Sequence, residues 1–217
     1  MVSIQGAVRS SLFRNMMALY AVQICRKLIP IASIPYLTRV LGPSTWGTMA
    51  FVLTSVTCLI LFVEFGFGIS ATREIASNRD SKEDCARVVA GVFGLQIVLF
   101  AVGLTVLAFA SVHLPLLHDN PELFLAGIFY AVSQCFAPLW FFQGMEWMRS
   151  ASILEITGKV LSLGGLLLFV HSPAHAWRAL ALQAIPALLQ TGVGLGFIYR
   201  EVPFRLPSLP LMRETLV

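Results

Sequence analysis

Two adjacent cations, Arg26 and Lys27, stand near the middle of an apolar run, residues 16–37. As a helix, that run is long enough to cross a bilayer core of about 30 Å. Facing lipid at the membrane centre, each cation costs about 2.5–3.5 kcal/mol, so both are expected to face a protein interior or a water-filled cavity. At three- and four-residue steps Gln23, Arg26, Lys27, Pro30 and Ser33 share one helical face, which leaves Leu19, Val22, Leu28 and Ile29 to cover the lipid side. The chemistry on offer is an anion site at membrane depth. A pair of structural cations, satisfied by carboxylates or carbonyls of a neighbouring helix, fits the same pattern.

Glu64 is the acid placed to meet them. In a second apolar run, residues 46–70, Thr54, Thr57, Glu64 and Gly68 fall on one helical face. If this run returns antiparallel to the first, Glu64 lies roughly 9 Å and Arg26 roughly 15 Å from the same membrane surface, within reach of a long side chain. An ion pair, or a Glu64 that reaches only the interface, is consistent with that depth. Glu155 and Lys159, four apart, read as a hydrated i,i+4 pair worth a few tenths of a kcal/mol. His171 and His175 have the spacing of metal ligands, but Pro173 between them breaks the helix that would aim both at one ion, and no metal site is expected. The run Gly192-x-Gly194-x-Gly196 has no strand before it and reads as close helix packing, not a nucleotide loop. No nucleophile, base and orienting group stand together, so the chain is not expected to be an enzyme, and no cofactor is implied.

The elements that position these groups are membrane helices. Of 217 residues, 57% are hydrophobic and 12% charged, with a mean hydropathy of +0.81, where soluble domains carry about 25% charge. The net charge of +4 is therefore a topology signal, and nucleic acid is not an expected partner. Cys25, Cys58, Cys85 and Cys135 form no C-x-x-C pair, so neither a disulfide framework nor a zinc site is indicated. Residues 1–14 read as an interfacial segment and 15–199 as an all-α lobe of six membrane spans, at about 16–37, 46–70, 86–112, 122–143, 152–171 and 177–199. The tail, 200–217, turns at Pro203, Pro207 and Pro210 and reads as truncated before a further part. Trp140, Phe141 and Phe142 read as a marker of the headgroup boundary. With the N-terminus in the cytoplasm, only Arg39 and Arg178 among the loop cations fall outside, so both termini are expected to be cytoplasmic.

Three ordered blocks carry a resemblance. The first is Ile34-Pro35-Tyr36-Leu37-Thr38-Arg39-Val40-Leu41-Gly42-Pro43 with Trp46-Gly47 and Ala50-Phe51. The second is Phe65-Gly66-Phe67 leading into Ala71-Thr72-Arg73-Glu74-Ile75-Ala76 and Asn78-Arg79-Asp80. The third is Pro138-Leu139-Trp140-Phe141-Phe142-Gln143-Gly144-Met145-Glu146. Together they resemble the polysaccharide exporters of the O-antigen flippase (Wzx-type) family, within the multidrug/oligosaccharidyl-lipid/polysaccharide exporter superfamily. The resemblance implies a MATE-like fold of two six-helix lobes around a central cavity, of which this chain supplies the N-terminal one. It implies a bacterial inner-membrane protein that flips a polyprenyl-pyrophosphate-linked oligosaccharide by alternating access toward surface polysaccharide or lipopolysaccharide, with the coupling ion, H+ or Na+, left open. Arg26, Lys27 and, near the outer mouth, Arg39 would contact the pyrophosphate, with Gln23, Thr57 and Glu64 polar positions of the cavity.

A lone lobe is expected to need a second lobe, or a copy of itself, for transport. Other classes fit parts of the pattern. A cation-coupled drug antiporter would bind cationic substrates through intramembrane acids, whereas here two cations face one deep acid. A membrane-bound polymerase or acyltransferase would place its residues in long outer loops, and these are short. An inactive truncated product is a third.

Overall fold

A computed structural model describes residues 2–205 and 207, with the side chains of 2–23, 25–27 and 30 outside the described set. Among the described residues the regular structure is helical, as the composition requires of a chain that must satisfy its backbone polar groups inside lipid. The protein is an all-α integral membrane protein. Among the described residues, five stretches are long and apolar enough to cross a bilayer, against the six spans expected: Ile31–Ser77, Lys82–His113, Pro121–Gly144, Met148–Phe169 and Pro173–Glu201.

Helix α1, Val2–Glu64, is two arms joined at Gly42, whose φ of 75° and ψ of 166° leave the helical region. The tight turn expected at Gly42-Pro43 is thus compressed into one residue, and Pro43 opens the second arm where its missing N–H costs nothing. Residues 1–14 are expected as a separate interfacial segment; the backbone from Val2 onward is helical through to residue 41, and the side chains of residues 1–14 lie outside the described set.

The second span is shorter than the sequence suggests. The helix stops at Glu64, Phe65 (φ 36°) and Gly66 (φ 85°) interrupt it with two successive left-handed residues, and α2, Phe67–Ser77, follows as a separate helix. Gly68 therefore does not continue the stripe of Thr54, Thr57 and Glu64. A left-handed non-glycine residue costs on the order of 1–3 kcal/mol, which the burial of Phe67, Ala71 and Ile75 on α2 offsets.

Helix α3, Lys82–His113, is capped by the Ser81 hydroxyl, which accepts from the Asp84 N–H at 3.3 Å, with Glu83 and Asp84 in the first turn where the helix dipole favours acids. A short α4, Pro115–His118, leads to α5, Pro121–Cys135. The expected fourth span, 122–143, is two helices: α5 ends at Cys135, and α6, Leu139–Gly144, starts after Pro138. Helix α7, Met148–Phe169, a 3-10 turn at Pro173–His175, and α8, Ala176–Glu201, complete the chain. Pro186 sits inside α8 without ending it.

The core runs from end to end. At the Gly42 end, Leu37, Leu41, Met49, Leu117, Val170 and Leu180 pack together, and the Tyr36 hydroxyl donates to the Val170 carbonyl at 2.8 Å. Val56, Leu59, Val63, Ala131 and Cys135 continue it. At the α2 end, Phe67, Ile75, Val89, Trp140, Phe141 and Ile198 close it. Trp140, Phe141 and Phe142 are thus interior residues, at most 4% exposed, and not a headgroup belt. Their bulk fills the space between α2, α3, α7 and α8, a role that a run of aromatics does not announce in sequence. Glycines permit the closest approaches. A Cβ at Gly127 would stand 2.7 Å from Val52 Cγ1, and one at Gly194 would stand 2.9 Å from Pro138 Cγ. In the Gly192-x-Gly194-x-Gly196 run only Gly194 is used so; the flanking two face open space. Outside, Phe109, Leu125, Ile153, Leu168 and Leu189 are exposed, an apolar surface suited to lipid.

Candidate functional site

A cavity of about 550 Å³ opens among both arms of α1 and helices α5 to α8. Along α7 its lining runs from Ala151 to Leu166, roughly 22 Å at the helical rise. Its walls are mixed. Leu37, Met49, Leu53, Leu139 and Phe142 are apolar; Trp46 and Tyr130 are amphipathic; Glu155 and Lys159 carry charge; Gln134, Gln183 and Gln190 carry amides.

The two charges come from α7, and Glu155 and Lys159, half-buried, both line the cavity where the sequence suggests a hydrated surface pair. Away from bulk water the worth of a charge rises, so Lys159 is a stronger anion ligand than an exposed lysine would be. On α8, Gln183, Ala187 and Gln190 recur at steps of four and three and so line one wall. The Gln183 amide donates to the Ala179 carbonyl at 2.9 Å, and the Gln190 amide donates to the Leu154 carbonyl of α7. Deeper, Thr191 donates to the Ser133 carbonyl at 3.2 Å, tying α8 to α5. None of these amides is singled out by the sequence reading. The available signal was Gln183 and Gln190 seven apart, two turns of one helix face, in an otherwise apolar span.

The predicted residues distribute unevenly. Gln23, Arg26 and Lys27 lie outside the described side chains, so neither the anion face nor the pairing with Glu64 is seen. Their helix continues unbroken to Ile29, Ser33 and Leu37, which line the cavity. Ile29 thus faces the cavity and not lipid. The Ser33 hydroxyl donates to the Ile29 carbonyl at 2.7 Å. Arg39 is exposed and away from the lining, because it projects from the last turn before Gly42. Thr57 is exposed, its hydroxyl donating to the Leu53 carbonyl, and Glu64 is exposed at the end of the arm; neither lines the cavity, whereas Thr54 does. His171 and His175 stay at the Gly42 end, where the His171 N–H meets His175 Nδ1 at 3.4 Å, and among the described residues no three potential ligands gather for a metal.

The family blocks assemble at the two ends. Pro35, Gly42, Pro43 and Gly47 surround the Gly42 turn, and neither Gly42 nor Gly47 has an atom within 4 Å of where a Cβ would be. At the other end the second and third blocks interlock. The Thr72 hydroxyl donates to the Gly68 carbonyl of its own helix at 2.7 Å and stands 3.2 Å from the Trp140 carbonyl and 3.5 Å from Gln143 Oε1. Ile75 presses on Gly144, where a Cβ would lie 2.6 Å from Ile75 Cγ2. Arg79 donates through Nε to the Gly144 carbonyl at 2.7 Å and through its terminal nitrogen to Glu146 Oε1 at 2.8 Å. Arg73 and Glu74, on the outer face of α2, are exposed. Close by, Lys82 pairs with Glu201 and Arg205 with Glu83, which ties the end of α8 and the segment after it to the start of α3.

The chain matches the family described as polysaccharide biosynthesis protein over residues 12–217. It belongs to that family. A protein of Escherichia coli (strain K12), whose name assigns it O-antigen transport, is 28% identical over 191 residues, covering 88% of this chain and 46% of that protein. A protein of Shigella dysenteriae named in the same terms is 27% identical over 178 residues, covering 79% of this chain and 43% of its own length. The chain therefore spans a little under half the length of both relatives. No solved structure matches it. Membership of this family, with the apolar exterior, makes it a multi-pass membrane protein of polysaccharide biosynthesis.

Proposed function

We propose that this polysaccharide biosynthesis family member forms the N-terminal lobe of a flippase for a polyprenyl-pyrophosphate-linked oligosaccharide. The observation that carries the reading is the cavity: a pocket with one acid, one lysine and three amides, enclosed by helices whose outer faces are apolar. A glycan chain needs hydrogen-bonding walls, a diphosphate needs a cation once it leaves water, and a lipid tail needs an apolar flank. Lys159 is the described cation of the cavity, and Arg26 and Lys27, on the helix that carries Ile29 and Ser33, would add to it. Arg39 has no part in this reading, since it lies off the lining. Glu155 is the acid lining the cavity that we propose for a coupling H+ or Na+, and no covalent chemistry is required of the chain. A second lobe, or a second copy, would complete the path, with the protein in the bacterial inner membrane and both termini in the cytoplasm.

The test is complementation of a strain lacking its own O-antigen transporter, with the chain expressed alone and joined to the C-terminal half of the Escherichia coli relative. The joined form restores surface polysaccharide, and Lys159→Ala with Arg26→Ala and Lys27→Ala makes lipid-linked saccharide accumulate on the cytoplasmic side. Normal surface polysaccharide from that triple variant overturns the assignment.

A further inference from the structure

Four local irregularities of the described residues converge on one region. Outside glycine, two residues have a left-handed backbone, Phe65 (φ 36°) and Glu146 (φ 59°). Among the described residues, two buried side-chain atoms have no hydrogen-bond partner within the protein, Trp140 Nε1 and Gln96 Oε1. Phe65 is the turn into α2, and Trp140 belongs to α6, with Glu146 just beyond its end. Gln96 lies on α3, one turn beyond Phe93, whose ring centroid is 5.8 Å from that of Trp140.

The two unpaired atoms are chemically complementary. An indole N–H can only donate, and a carboxamide oxygen accepts. Burying either one unpaired is unfavourable, so a donor and an acceptor left open on neighbouring elements mark an arrangement with a nearby alternative. The elements able to make the shift are already delimited. Helix α6 is six residues long, bracketed by non-helical backbone at 136–138 and 145–147. Helix α2 is set off from α1 by Phe65 and Gly66. Thr72, Ile75 and Arg79 fasten the two together through Trp140, Gln143, Gly144 and Glu146. Strained backbone stands at one end of each, where a hinge would put it.

We propose that α2 and α6 move as one body between two positions: the one described above, and a second in which Trp140 Nε1 donates to Gln96 Oε1. Arg79, through Gly144 and Glu146, is the positioning residue that makes the two helices move together. Leu139 and Phe142 of α6 line the cavity, so the shift reshapes the cavity at its α2 end. This goes beyond the transport reading and does not depend on what the cavity carries.

The test is fluorine NMR of the full chain in lipid nanodiscs with 5-fluorotryptophan at its four tryptophans, Trp140 being assigned by Trp140→Phe. The expected spectrum has two Trp140 resonances, or one exchange-broadened line that splits on cooling. In Gln96→Leu, and in the closer-shaped Gln96→Met, they collapse to one sharp line while the other three tryptophans keep their shifts, which shows the fold intact. Glu146→Gln, which loosens the clasp but keeps the Gly144 contact, changes the ratio of the two lines by about two- to fivefold. A single sharp Trp140 line in the parent at all temperatures overturns the proposal. So does a pair of lines that Gln96→Leu and Gln96→Met both leave unchanged.

Discussion

The carboxamide of Gln190 on α8 occupies the space that a side chain at Gly158 on α7 would take. A Cβ there would stand 2.7 Å from Gln190 Cδ, while the amide reaches past it to the Leu154 carbonyl. The two residues hold α7 against α8 at the depth of Glu155 and Lys159, and so set where the cavity's charges stand. Gly158→Val is expected to destabilise by about 1–3 kcal/mol through overpacking. Gly158→Ala combined with Gln190→Ala is expected to cost less than the two single changes added together, because the shorter side chain at 190 removes the clash and the methyl at 158 fills part of the space it leaves. Thermal unfolding of the purified variants in one detergent measures both.

Gly42 and Gly47 belong to the same motif block and both have open space around them, but they differ in backbone. Gly42 has φ 75° and Gly47 is helical. Gly42→Ala is expected to lower stability by about 1–3 kcal/mol, the cost of a Cβ at φ 75° and ψ 166°, a region that essentially only glycine adopts. Gly47→Ala is expected to be neutral or to stabilise by up to about 1 kcal/mol from helix propensity. A fall in the unfolding temperature for Gly42→Ala alone is the outcome to look for; equal falls at both positions contradict the argument.

Arg79 and Glu146 are both partly solvated, so their ion pair alone is worth at most about 1 kcal/mol. Glu146→Gln is expected to fall within that range and to lessen the salt dependence of unfolding. Arg79→Ala also removes the donor to the Gly144 carbonyl and is expected to cost about 1 kcal/mol more. Arg79→Lys, which lacks the fork that reaches both oxygens at once, is expected to recover only part of it. Denaturation at low and high salt separates the two contributions.

Lys159 lines the cavity and Arg39 does not. On the proposed flippase reading, with the chain joined to a C-terminal half in the complementation strain, Lys159→Ala is expected to reduce surface polysaccharide about tenfold or more through loss of a proposed charge-assisted contact to phosphate. Arg39→Ala is expected to leave it within about twofold. Antibody staining of surface polysaccharide, normalised to protein abundance, checks the contrast.

Much of the fold is legible in the residues because lipid imposes few choices. A chain that is 57% hydrophobic and 12% charged must run as helices, and Gly42 and Pro43 mark the first reversal without ambiguity. The breaks at Phe65 and at Phe136–Pro138 are less visible. Phe65 is a poor residue for a left-handed turn, and only the burial of α2 on one side and of α6 on the other makes those turns worthwhile. The aromatic run at 140–142 has the same composition whether it meets headgroups or fills a core, and neighbours absent from the local sequence decide between them.

The sequence by itself determined the environment, the helical class and the family, since hydropathy and ordered motif blocks are properties of the chain read along its length. Only the tertiary structure decided which polar residues share a cavity. Glu155, Lys159, Gln134, Gln183 and Gln190 come from three helices, and which face of each turns inward depends on contacts such as Gly158 with Gln190 and Gly194 with Pro138. Periodicity shows which residues share a face, but not which face meets another helix and which meets lipid, because in a bilayer both surroundings are apolar and the choice rests on packing.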